Sequence, residues 1–186
     1  MNPDTERRAS VHPAWQVALF TALAYAVVGW IALALAIPPG FATPLYPSAG
    51  IALAAVLVFG QPAIAGTALG AFAVNVVLSA SRGQIDAAAF VLPATIAAGS
   101  ALQAALGAAL VARYVAQPLV LATPREIAMA GTLGALVACL VSPTVATLAL
   151  LGSHSIAPAQ VLGTWGTWWV GDTLGVLIGA PLALTL

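Results

Sequence analysis

The chain has 186 residues, 62% of them hydrophobic and 5% charged, with five basic and five acidic side chains and a formal net charge of zero. A soluble domain of this size needs far less apolar material for one core, so the solvent has to be lipid. So few basic residues cannot neutralise a run of phosphates, which excludes nucleic acid as a partner. The single Cys139 has no companion for a disulfide or a cysteine-based metal site.

Residues 1–13 form a polar tail that carries Arg7 and Arg8. The apolar segment after it is long and lacks a cleavage site, so it reads as a retained anchor and not as a secretory leader. A span needs about 20 mostly apolar residues to cross a hydrocarbon core of about 30 Å. About six candidates follow in order: Ala14 to Ile37, Ser48 to Phe59, Pro62 to Ala80, Ala87 to Ala112, Ile127 to Leu151 and Val161 to Leu186. Pro38-Pro39-Gly40 ends the first, because proline cannot continue a helix and glycine frees the turn. Pro44, Pro47 and Gly60-Gln61-Pro62 isolate the second. Pro118 to Glu126 is the one linker of mixed polarity. The expected fold is therefore an all-α, polytopic transmembrane helix bundle over residues 14–186.

Ser48 to Phe59 would be only about 18 Å long as a helix, so it reads either as a thin span or as a re-entrant half-helix. If it spans, Arg7, Arg8, Arg113 and Arg125 fall on the side of the N-terminus and Arg82 alone falls opposite. The positive-inside rule then favours six spans with both termini in the cytoplasm. The last residues, Pro181 to Leu186, are still apolar, and the expectation is that the chain is cut from a longer protein.

Asp172 lies about 16 Å along the sixth span, near mid-membrane. Aspartate at a helix centre costs roughly 2.5 to 3.5 kcal/mol to insert, so it should face the bundle interior or a wet cavity. No lysine or arginine lies at its depth, which leaves Asn75, Gln103, Ser142 and Thr144 as candidate partners, or a proton that neutralises it. It reads either as a ligand, ion or proton site or as a structural tie between helices. Trp165, Trp168, Trp169 and Asp172 share one helix face, an aromatic surface leading to the carboxylate where a cation or a sugar-like ligand could stack. The alternative places the tryptophans in the aromatic belt, although Trp169 lies about 12 Å into the span.

Gly171, Gly175 and Gly179 recur every four residues, as do Gly66 and Gly70 in the third span, the spacing that lets helices pack closely. Mutual packing of these two helices would bring Asn75 towards Asp172. Tyr46-Pro47-Ser48-Ala49-Gly50 opens the short second helix, with Ser48 able to cap it and free amides beyond; it reads as an ordinary helix start or as an anion-binding half-helix end. Pro93, Pro143 and Pro181 interrupt spans, each freeing a carbonyl.

Neither His12 nor His154 has a partner at ligand spacing, so no metal is expected. There is no nucleophile elbow and no phosphate-binding lysine loop, and Asp4, Glu6, Asp86, Glu126 and Asp172 form no catalytic pair. Neither enzyme chemistry nor a cofactor is expected.

Three runs carry a family resemblance: Tyr46-Pro47-Ser48-Ala49-Gly50-Ile51-Ala52, then Thr123-Pro124-Arg125-Glu126, then Trp165-Gly166-Thr167-Trp168-Trp169-Val170-Gly171-Asp172-Thr173-Leu174-Gly175-Val176 with Pro181 after it. In order and spacing the chain resembles the first type of bacterial membrane-associated sensor domain, from about Ala14 to its end. That resemblance implies an input module in a bacterial inner membrane, placed N-terminal to a histidine kinase or a diguanylate cyclase. It would act in two-component or cyclic di-GMP signalling, with the bilayer, a cytoplasmic output domain in cis and an unknown small ligand as partners, and a homodimer as a further arrangement. Such domains usually carry further spans and an output domain, neither of which lies in these 186 residues. The competing reading is a small six-span solute-binding or transport subunit.

Overall fold

The computed structural model describes residues 13–37, 40–81, 83, 90–115 and 123–185. Arg7, Arg8, His12, Pro38, Pro39, Arg82, Asp86, Asp4 and Glu6, and most of the expected 118–126 linker, lie outside the described residues. The fold is all-helical, with α1 Ala14–Leu33, α2 Pro47–Phe59, α3 Gln61–Ser81, α4 Val91–Tyr114, α5 Pro124–Ala130, α6 Val141–Gly152 and α7 Val161–Thr185. A π-helical turn, Gly131–Val137, and a 3-10 turn, Ala138–Leu140, join α5 to α6 in one rod, Pro124–Gly152. With that rod, five helices are long and apolar enough to cross a membrane, and α2 is a shorter sixth.

The bundle is packed with small residues inside and large apolar ones outside. Ala49, Ala52, Ala63, Ala71, Ala97, Ala104, Ala135 and Ala138 are buried, whereas Phe20, Ile31, Leu102, Leu148, Leu162 and Leu182 are exposed. Lipid gives no hydrophobic drive for helices to associate, so the gain comes from close backbone approach, which alanine and glycine permit. Gly66 and Gly70 show this directly: a Cβ at either would press on the Ala18 or Ala22 carbonyl of α1. The same contacts run the two helices parallel. Gly99 against Val145 and Gly107 against Ala138 run α4 and the α5–α6 rod antiparallel.

Several expected boundaries move. The first helix ends at Leu33, not at Ile37. Residues 34–36 tighten into i→i+3 bonds, and Ile37, the residue before Pro38, turns extended and pairs with Ala42. The fourth helix starts at Val91, so Pro93 lies in its first turn, where no carbonyl is freed, contrary to expectation. The second helix starts at Pro47, with Tyr46 at its N-cap and no side-chain cap. Ser48 does not cap it; its hydroxyl donates to the Tyr25 carbonyl of α1 at 2.8 Å.

The short second element does not turn back on itself within its 13 residues. Residues 42–46 are non-helical and descend beside α7, Thr43 against Gly171 and Tyr46 against Gly175, before α2 continues in the same direction. Five such residues add at most about 17 Å to the roughly 20 Å of α2, together longer than a hydrocarbon core of about 30 Å. The backbone of this descending strand is partly satisfied by α7 itself, since the Tyr46 N–H donates to the Gly171 carbonyl at 3.0 Å.

The Thr123-Pro124-Arg125-Glu126 run is a capping box. The Thr123 hydroxyl accepts from the Glu126 N–H and the Glu126 carboxylate accepts from the Thr123 N–H, each at 3.2 Å, with Pro124 at the first helical position.

Candidate functional site

Two backbone groups of the α5–α6 rod bond to side chains of neighbouring helices. In the 3-10 turn the Val141 N–H turns back to Ala138, and the Ser142 N–H next to it reaches another helix. Gln103 of α4 takes it, its Oε1 accepting at 3.1 Å. The Leu136 carbonyl of the π turn accepts from Trp169 Nε1 at 3.2 Å. Pro143, which has no N–H to donate, follows directly.

Gln103 spends its other end on Asp172. Its Nε2 donates to Asp172 Oδ2 at 2.9 Å, so one side chain links α4 to both α6 and α7. Asp172 is 2% exposed, and its Oδ1 has no protein partner. Ser100 and Ser142 face each other beside this pair at 3.4 Å.

Two small cavities flank the pair. One, about 20 Å³, is bordered by Asp172, Asn75, Tyr46, Trp168, Thr43 and Phe41. The other, about 10 Å³, lies on the Gln103 side against Ser100 and Tyr25. Each has room for a small, water-sized guest. Tyr25 and Tyr46 meet edge to face, with centroids 5.9 Å apart and planes at 74°.

Of the partners expected for Asp172, Gln103 touches it directly and Ser142 is joined through Gln103. Asn75 borders the same cavity, with Nδ2 donating to the Ala71 carbonyl at 2.9 Å. Thr144 is not a partner: it is exposed, its hydroxyl donates to the Leu140 carbonyl at 2.7 Å and accepts from Trp165 Nε1 at 3.0 Å. The tryptophans do not form one surface. Trp165 and Trp169 stack on each other, 6.0 Å apart, and are tied to the α5–α6 rod, while Trp168 alone borders the Asp172 cavity. Replacing Trp169 by Phe should keep the stack but strand the Leu136 carbonyl, lowering stability by about 1 kcal/mol. Thermal unfolding in detergent measures this, and an unchanged midpoint would show that the bond contributes nothing.

The two glycine faces do not meet as expected. Gly66 and Gly70 pack on α1, whereas Gly171, Gly175 and Gly179 pack on the descending strand and the start of α2. Asn75 approaches Asp172 all the same, because both border one cavity. Tyr25, Ser100 and Thr43 were not singled out by sequence. A tyrosine well inside an apolar span, at Tyr25, was the available signal, since a buried hydroxyl calls for polar neighbours.

Among the described residues, no group of three or more His, Cys, Asp or Glu side chains could hold a metal. Residues 15–186 match the family model described as MASE1. No curated protein and no solved structure matches the chain.

Proposed function

Because the chain belongs to the MASE1 family of sensory membrane modules, which are not themselves catalytic, we propose that it is the input part of a signalling protein and that the Asp172 cluster is its sensing centre. The family match carries the sensor reading. The choice of Asp172 is supported by its burial between helices with one oxygen unpartnered, the kind of costly intramembrane carboxylate that is retained for a function. Gln103, Asn75, Trp168 and Tyr46 are the surrounding sensing residues. A signal at Asp172 would pass along α7, whose glycine face carries the descending strand, to a cytoplasmic histidine kinase or diguanylate cyclase in cis.

The proposed location is a bacterial inner membrane, with both ends of the chain in the cytoplasm. Alternation of the six elements, and Arg113 and Arg125 flanking the connection between α4 and α5, support that orientation. The transport reading is less favoured, since the family match is to a membrane sensor domain.

Fusion of residues 1–186 to a diguanylate cyclase reporter tests the proposal through cellular cyclic di-GMP. Asp172→Asn should insert to the same level and shift output severalfold. Identical output from both fusions would remove Asp172 as the sensing group.

A further inference from the structure

Everything that borders the larger cavity beside Asp172 points to the sign of its guest. Asp172 Oδ1 is buried and unpartnered. Asn75 has committed its amide nitrogen to Ala71, which leaves its amide oxygen as the free end. The Thr43 hydroxyl is turned back on the Leu45 carbonyl at 3.1 Å. Trp168, Phe41 and Tyr46 supply aromatic rings to its lining, the side-chain type that attracts cations over its face. No lysine, arginine or histidine is among the described residues bordering the cavity. An ionised carboxylate in a low-dielectric interior needs a compensating positive charge, and the described surroundings contain none.

We propose that this cavity is a seat for one small monovalent cation, held by the Asp172 carboxylate and the Asn75 side-chain amide oxygen against the ring of Trp168. The volume of about 20 Å³ favours a small guest. The cavity accepts a largely dehydrated sodium ion or an ammonium ion, which share their charge; ammonium is the larger of the two and donates hydrogen bonds. Leu33, at the C-terminal end of α1, and Phe41 and Ala42, from the connection after it, border the cavity, so its approach is from the end of the bundle where α7 begins. In the orientation proposed above, that is the outer face.

The seat also has a route to the rest of the fold. Asp172 follows Gly171, whose carbonyl holds the Tyr46 N–H, and its other oxygen is held by Gln103, which in turn holds Ser142. A charge placed beside the Asp172 carboxylate therefore acts on the descending strand through α7 and on the α5–α6 rod through Gln103. This names the ligand class of the sensing centre and rests on that reading for its role in signalling, though not for the binding itself.

The test is the unfolding midpoint of the purified chain in lipid nanodiscs with sodium, ammonium or choline chloride at matched ionic strength. A ligand that binds only the folded state raises the midpoint with its concentration. Sodium or ammonium should raise it saturably above choline, and whichever does so identifies the ion. Asp172→Asn should abolish the difference, and Asn75→Leu, on a half-buried residue, should weaken apparent affinity at least about tenfold. Equal midpoints in all three salts, an undiminished sodium or ammonium effect in Asp172→Asn, or a response to pH alone would overturn the proposal. The cyclase fusion separates the two ideas. Cation stabilisation without a change in output leaves the seat standing and removes the sensing role, whereas a changed output without cation stabilisation does the reverse.

Discussion

Gly175→Ala should lower the stability of the folded bundle by about 3 kcal/mol, the upper part of the range for overpacking a tight contact. A Cβ at Gly175 would overlap the Tyr46 carbonyl oxygen, and the next nearest atoms, the Tyr46 carbonyl carbon and the Pro47 nitrogen, are also backbone. No side chain there can rotate aside, so either α7 or the descending strand has to move. Movement of the strand would stretch the Tyr46 N–H bond to Gly171, which satisfies backbone at membrane depth. The control is Gly166→Ala in the same helix, where an added Cβ meets nothing within 4 Å. That change should stay within about 0.5 kcal/mol of wild type, or gain slightly from better helix propensity. Reversible unfolding in mixed micelles compares the two. Equal midpoints would mean that α7 and the strand are not in contact.

The sequence marked the apolar spans well because their signal is a sum over some twenty residues, which a few exceptions cannot erase. The shift of α1's end to Leu33 and the descending strand were harder to read, since both depend on what the backbone finds to bond with. Residues 42–46 carry no helical or strand period; their conformation is set by α7 across the contact, where Gly171 offers a carbonyl and no side chain. The glycine spacing in α7 was legible, but its meaning was not. Glycine every fourth residue shows that something approaches closely, and whether that is a helix or an extended strand is a tertiary fact. Asp172 stood out by its cost, and Gln103 as a candidate partner because it is a polar residue at matching depth. The π turn escaped notice, since Gly131, Gly134 and Pro143 are compatible with an ordinary kinked helix. So did the division of the tryptophans, because helical spacing assigns Trp165 and Trp168 to a common side while their neighbours decide which way each ring turns.

Gln103→Leu is expected to cost about 2 to 3 kcal/mol, more than a typical interhelical hydrogen bond in a membrane protein, which averages only about 0.6 kcal/mol. The difference arises from the number of groups the change strands. Leucine fills much of the same volume but leaves Asp172 Oδ2 without its partner and removes the acceptor of the Ser142 N–H, on top of an Oδ1 that already lacks one. A buried carboxylate with neither oxygen paired should then be stable only as the neutral acid. If that is the origin of the loss, adding Asp172→Asn should recover part of it, since asparagine carries no charge to bury. The single Asp172→Asn change should be milder, because an amide oxygen can still accept from Gln103 Nε2. A double-mutant cycle over these two positions, read by unfolding in mixed micelles, measures the coupling. Strictly additive losses would show that Gln103 and Asp172 act independently, and the bond between α4 and α7 would then have no part in holding the sensing centre together.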